Sequence, residues 1–344
     1  MYSFKNDKIE LPLSTVWLMN SLAEHKGKQE LYIKQAPQVL NSLMEMALIE
    51  SAESSNRIEG VTVDKNRIKP LIIGHSKPRD RSEEEVAGYR KALDFIHKKH
   101  SNLQITSDVI KELHRLCRGE SWDAGKWKDK DNDIIRKYPD GRAEIIFKLV
   151  KAEMTPDMVK QLCLLYGNSI GQLKYPELFA AACLILDFLC IHPFRDGNGR
   201  VSRLLTLLAL YNCGYQVGRY ISLERVVEQS KETYYEALNK SSQSWHRGKH
   251  DVFPWVNYFL WTLIEAYKEF EDRADKLKPS RGLKTAMVID AVNKQNSDFT
   301  LSDIQSLCPN VSRVMIKNVL DTLKNEKKIR LLGKGRAAAW RLLV

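Results

Sequence analysis

HPFRDGNGRVSR, His192 to Arg203, lies between two apolar runs, Leu178 to Cys190 and Val201 to Tyr211, each with the composition of a buried helix. A polar, glycine-rich connection between two such helices is poor core material. Gly197 and Gly199 allow backbone N–H groups to converge at the start of the second helix, where unpaired donors and the helix dipole favour an anion such as phosphate. Arg200 and Arg203, spaced i and i+3, share a face and can each clamp further phosphate oxygens. Asp196 offers a hard oxygen ligand suited to Mg²⁺ bridging phosphates. His192 stands just ahead, and an ordinary imidazole pKa near 6.5 suits a general base at neutral pH. Each of these has a plain alternative in a structural histidine, a turn or a solvent-facing arginine. Their concentration in one short segment is what points to phosphate chemistry.

Around this segment the 344 residues are 43% hydrophobic and 28% charged, which excludes collagen-like, disordered and disulfide-stapled classes and leaves room for two or three domains. Cys117, Cys163, Cys183, Cys190, Cys213 and Cys308 form no CxxC pair and mostly sit in apolar helical stretches, as reduced thiols packed as small hydrophobes do. A structural zinc is not expected. The start MYSFKNDKIELPL has no apolar core of signal-peptide type, and the longest apolar stretch, Leu178 to Ile191, carries Asp187 and falls short of the ~20 residues that span a bilayer. The expectation is a soluble, cytoplasmic protein without a membrane partner.

The periodicity predicts a mainly α protein. Val39, Leu43, Met46 and Leu48 to Ile49 mark one helix, and Val86, Tyr89, Leu93 and Ile96 another. The polar runs His75 to Glu85 and Glu271 to Gly282 divide the chain into an N-terminal helical region (1–82), a middle block (83–272) and a tail (280–344). Within the middle block, β-prone Asp133 to Arg136 and Glu144 to Phe147 flank Pro139, Asp140 and Gly141, a hairpin that is either trim or a ligand-binding flap. The tail holds 12 Lys+Arg against 5 Asp+Glu over residues 281–344, most of the chain's +11 charge. A helix near Lys284 to Asn293, a second capped around Thr300-Leu301-Ser302, a third opened by Ser312 with Met315, Val319 and Leu323 on one face, and strands Ile329 to Leu332 and Ala338 to Leu343 look like a winged helix-turn-helix. Arg313 and Lys317 on the third helix, with Lys334 and Arg336 on the wing, would face DNA; a protein partner or a merely solvated surface are the alternatives.

HPFRDGNGRVSR matches, at every specified position, the signature HxFx[DE]GNGRxxR of the Fic (filamentation induced by cAMP) family, and the surrounding block resembles a Fic domain. The resemblance implies transfer of AMP from ATP to a hydroxyl of a protein target, including the chain itself. It makes His192 the base that deprotonates the hydroxyl, Phe194 the residue packing the loop into the core, and Asp196 the Mg²⁺ ligand. Gly197, Asn198 and Gly199 would cradle the phosphates, Arg200 would hold the β-phosphate and Arg203 the γ-phosphate, with Arg195, Tyr234 and Tyr235 also on the nucleotide side. The hairpin corresponds to the family's target-docking flap. A homodimer is a further expectation.

SSNRIEG, Ser54 to Gly60, resembles the family's inhibitory pattern [ST]xxxE[GN] through Ser55, Glu59 and Gly60. Ser55 and Glu59 are i and i+4 on one helical face, and Gly60 is a natural residue just past a helix end. A Glu59 carboxylate delivered to Arg203 would occupy the place of the γ-phosphate. Other readings stay open: removal of AMP with Glu59 positioning water, and a DNA-binding regulator whose Fic block senses nucleotide. Phosphotransfer by the kinase-like branch of the family is disfavoured, because that branch has Lys where this chain has Gly199.

Overall fold

In a computed structural model the described residues are 2–4, 9–35, 37–74, 76–137, 142–277, 283–295, 297–308, 311–333 and 338–343. They form two compact units, Met1–Lys276 and Leu277–Val344. The first opens with α1 (Leu13–Gln35), α2 (Pro37–Ile58) and α3 (Lys65–Ile73), followed by α4 (Arg81–Lys99) and α5 (Ser107–Arg118). A hairpin, β1 (Asp133–Lys137) and β2 (Ala143–Lys148), leads to α6 (Thr155–Gly171), α7 (Glu177–Ile191), α8 (Asn198–Asn212), α9 (Leu223–Gln229), α10 (Lys231–Ser242) and α11 (Phe253–Leu277).

The core is organised around α7, whose sequence ELFAAACLILDFLCI is apolar on all sides and has thirteen of its residues buried. A helix with no polar face must be surrounded by others. Its one buried acid, Asp187, is satisfied by Ser3 Oγ (2.6 Å) and Trp245 Nε1 (2.6 Å), while burial pushes its pKa up to about 6. The flanking helices are amphipathic. In α5 the buried positions Ile110, Leu113, His114 and Cys117 recur at helical spacing behind the Thr106 cap, and in α4 the stripe Val86, Tyr89, Leu93 and Ile96 is buried.

The run His75 to Glu85 does more than separate blocks. Asp80 caps α4 by accepting from the Glu83 N–H, so the helix starts inside that run, and Glu83 and Glu85 are both buried. Arg67 pairs with Glu83, and Arg118 and Arg200 pair with Glu85, which is why acids that read as linker lie in the interior.

The hairpin pairs Ile134 with Phe147 and Ile135 with Ile145 in antiparallel register, with an irregularity between Ile134 and Ile135. Pro139, Asp140 and Gly141, expected to make its turn, lie outside the described residues. Phe147 anchors its base, stacked on His246 at 5.3 Å, whereas Ile134, Ile135 and Ile145 are exposed.

The second unit contains α12 (Leu283–Asn293), β3 (Phe299–Thr300), α13 (Leu301–Leu307), α14 (Arg313–Asn325), β4 (Ile329–Leu332) and β5 (Ala339–Leu342), with sheet order β3-β5-β4. Thr300 and Asp303 form a capping box, and Ser312 caps α14 through the Met315 N–H. Ile316, Val319, Leu320 and Leu323 of α14 pack with Val292, Phe299, Ile329 and Trp340; Met315 is only partly buried. Strand β3 was not anticipated, since two residues are too short to carry a period. Lys334 and Arg336 lie outside the described residues. No helix among the described residues is long and apolar enough to cross a membrane.

Candidate active site

The α7–α8 connection brings the polar segment to an open cleft of about 340 Å³, lined among others by Glu59, Phe147, His192, Gly199, Tyr234 and Tyr235. His192 ends α7 in a left-handed conformation, φ +52°, with its N–H on the Phe188 carbonyl. Its Nδ1 lies 3.4 Å from the Leu189 carbonyl, which can only accept, so this contact places the proton on Nδ1 and the lone pair on Nε2. Burial holds the imidazole down to about 4, helped by the Lys128 ammonium and opposed by the Leu189 carbonyl, Glu59 and Asp196. At neutral pH it is an uncharged acceptor.

The loop is held from below. Phe194 is fully buried and stacked on His114 at 3.7 Å, with Trp127 at 4.9 Å. His114 Nδ1 accepts from the Gly125 N–H and its Nε2–H donates to the Asp196 carbonyl, while burial keeps the ring near 4 and neutral. Gly197, φ +82°, supplies the left-handed residue that turns the chain into α8.

The loop's polar residues divide into those facing the cleft and those spent on the loop itself. The Asn198 side chain, expected to cradle phosphate, instead bonds the Phe194 N–H and carbonyl, leaving only the backbone for a ligand. The N–H groups at the first turn of α8 have no intrahelical acceptor, so the anion site is main-chain in character. Arg195, expected on the nucleotide side, reaches Asp129 (3.0 Å) and covers the Trp122 ring, so its guanidinium belongs to the outer surface. Arg200 is buried and donates to Glu85 Oε2 (2.8 Å), with Asn56 at 3.4 Å and Asp196 at 3.7 Å. A guanidinium so engaged fastens α8 to α4, and the β-phosphate expected at Arg200 would share it with Glu85. Asp196 remains half exposed, with Oδ2 2.7 Å from Arg118 and Oδ1 accepting the Gly197 N–H.

Arg203 is the arginine that meets the end of α2. Its Nε donates to Ser55 Oγ (2.9 Å), and its Nη2 to the Ser55 carbonyl (2.9 Å) and to Glu59 Oε1 (2.8 Å). Burial works against its charge, but Glu59 and the nearby Tyr234 and Tyr89 hold its pKa above the usual value. Glu59 lies just beyond α2, and Gly60, φ +82°, turns the chain away. The carboxylate rests on the start of α8: a Cβ at position 199 would run into Glu59 Oε1. Tyr234 is buried against Trp255 and Tyr258, and Tyr235 is nearly half exposed in the cleft; burial raises both phenols.

Residues that the sequence did not single out complete the site. Glu85, His114, Arg118, Trp127 and Lys128 all serve the loop. Of these, His114 alone carried a local signal, as a polar residue inside the apolar stripe of α5.

The profile of the Fic/DOC family matches residues 104–210. The protein adenylyltransferase Fic of Nematostella vectensis is 25% identical over 213 residues, covering 59% of this chain and 44% of that protein, so the chain spans less than half of that relative. Among solved structures, a Fic family protein from Desulfovibrio desulfuricans superposes with a TM-score of 0.65 at 20% identity over 97% of both chains. A Fic domain containing signaling protein from Bacteroides thetaiotaomicron gives 0.60 at 21% identity, covering 76% of this chain and 97% of that one. These likenesses, together with the complete motif on the α7–α8 loop, establish that the chain carries a Fic/DOC family domain.

Proposed function

We propose that this protein transfers AMP from ATP to a serine, threonine or tyrosine hydroxyl of a protein, itself included, and that Glu59 restrains the reaction. The observation that carries the reading is a neutral His192, its Nδ1 on the Leu189 carbonyl, lining one cleft with Gly199 of the first turn of α8 and with Glu59, the carboxylate that holds Arg203. In the reaction, Nε2 accepts the hydroxyl proton as the oxygen attacks the α-phosphorus. The bond from that phosphorus to the bridging oxygen breaks, and pyrophosphate leaves.

The residues fit Mg²⁺ carried by a nucleotide. No group of three metal-ligating side chains occurs among the described residues, but a phosphate-bridging ion needs only one or two carboxylates, and Asp196 presents one, half exposed, beside the anion site. Bound there, the ion would neutralise charge on the phosphates. Arg118 and Arg200 position Asp196, and Asn198 and Phe194 hold the loop's shape.

Glu59 occupies both features that an ATP phosphate would use, the Arg203 guanidinium and the start of α8. Intact-mass spectrometry after incubation with ATP and Mg²⁺ tests the reading: a +AMP adduct is expected to be scarce in the native protein and abundant in Glu59→Gly. An adduct in neither removes the transferase assignment. Loss of AMP from a pre-modified protein, faster with the native chain than with Glu59→Gly, would favour the reverse reaction.

The second unit supports a separate role in binding duplex DNA. Arg313, Val314 and Lys317 project from the first turns of α14, all exposed, where a recognition helix meets base edges and phosphates. The full chain is expected to bind duplex DNA at low ionic strength, with affinity falling as salt rises. The double change Arg313→Ala, Lys317→Ala should reduce the log–log salt slope by about 2. Absence of binding at low salt would make this unit a protein-interaction module.

A further inference from the structure

The segment from Trp127 to Asp129, on the way from α5 to the hairpin, runs alongside the catalytic loop and meets it residue by residue. Trp127 packs on Phe194, Asp129 pairs with Arg195, and between them Lys128 reaches the carbonyls of the residues before and after His192. The Lys128 N–H donates to the Pro193 carbonyl at 2.9 Å, and its Nζ donates to the Ile191 carbonyl at 3.2 Å. Lys128 is buried, 3% exposed, a costly place for an ammonium that a methionine of similar length would fill without that cost. What the ammonium adds is a fixed hold on a backbone that carries a non-glycine residue in the left-handed region, and a positive charge facing the imidazole.

We propose that Lys128 is the positioning residue of the His192 base, gripping the carbonyls on either side of it and keeping the ring oriented and unprotonated. The inference rests on His192 being the base of the proposed transfer. It ties that base to the root of the hairpin, because β1 begins only five residues after Lys128. A target strand laid on the hairpin would thus be registered against the base through three consecutive residues. The groups acting on His192 are Lys128, Glu59, Asp196 and the Leu189 carbonyl; those acting on Lys128 are Asp131 and Asp133, whose attraction only partly offsets the burial that lowers the ammonium to about 8.

The test reads His192 directly, by NMR titration of the histidine-labelled full chain without nucleotide, its signal identified by loss in His192→Gln. Removing a like charge from beside a titrating group shifts it by about one unit or more. Lys128→Met is therefore expected to raise the His192 midpoint by at least about one unit from its native value near 4, and Lys128→Arg to leave it near native. In the Glu59→Gly background the acid limb of the rate profile should move up with it, and kcat should fall while KM for ATP, set by contacts on α8, stays. A folded Lys128→Met with an unmoved midpoint overturns the proposal. If Lys128→Met does not fold, Lys128→Gln, which keeps N–H donors without the charge, decides by the same shift. A raised midpoint in a chain that never incorporates AMP would overturn the transferase reading and leave Lys128 in its role; AMP incorporation with an unmoved midpoint would do the reverse.

Discussion

His192→Ala, made in the Glu59→Gly background, is expected to lower the rate of AMP incorporation by ~10²–10⁴-fold, the usual effect of losing a general base. ATP affinity should change little, because the proposed phosphate contacts lie on the first turns of α8, away from the imidazole. The φ of +52° at His192 is closed by backbone contacts to Phe188 and Lys128, so truncating the side chain leaves the turn supported. Radiolabelled AMP incorporation gives the rate and calorimetry the affinity. A variant retaining more than a tenth of the parent rate would remove His192 from the mechanism.

Arg203→Ala in the same background should abolish most of what Glu59→Gly gains. One guanidinium serves two anions, the Glu59 carboxylate now 2.8 Å away and the phosphate that would replace it, and a charge-assisted bond of this kind contributes ~1.5–3 kcal/mol. That corresponds to roughly 10- to 150-fold in the rate at limiting ATP. ADP, with no γ-phosphate to compete for Arg203, should bind the native protein and Glu59→Gly with similar affinity. Equal rates for native and Glu59→Gly under saturating ATP and Mg²⁺ would end the case for restraint by this residue.

The parts of the site legible in the sequence are those whose chemistry is local. His192, Asp196, Gly197 and Arg203 lie within one loop and helix turn, and Ser55, Glu59 and Gly60 within another, so two short stretches carry the motifs whose resemblance to the family marked them. The parts that were not legible depend on contacts between distant segments. Glu85 meets Arg200 across 115 positions, and Arg118 meets Asp196 across 78, so no local pattern marks Glu85, Arg118 or Arg200 as buried. The same cause turned the run His75 to Glu85 into an apparent linker, because charged residues read as exposed until their partners are known. Arg195 is the opposite case: it sits within the motif, and the structure places it on the side of the loop that faces Asp129 and Trp122. In the fold, the long amphipathic helices and the hairpin strands were readable, whereas β3 exists only because β5 pairs with it.

The closure of the first unit by its own two ends has a consequence for the nascent chain. Thr15 on α1 donates to Asn257 on α11, 242 residues later, and Gln29 accepts from Tyr267. At a ribosomal pace of ~5–20 residues per second, α1 waits roughly 10 to 50 s for its mate, a window in which chaperones have access. The anchors of the α2 terminus emerge in a telling order: Arg203, which takes Ser55 and Glu59; Glu228, which takes Arg57; Lys231, whose ammonium caps the Ile58 carbonyl. Tyr234 and Tyr235, which wall the cleft, come only afterwards. In the sequence of synthesis, Glu59 finds its seat before Tyr234 and Tyr235 complete the cleft, so under the proposed restraint the newborn protein would have no interval in which it is complete and unrestrained.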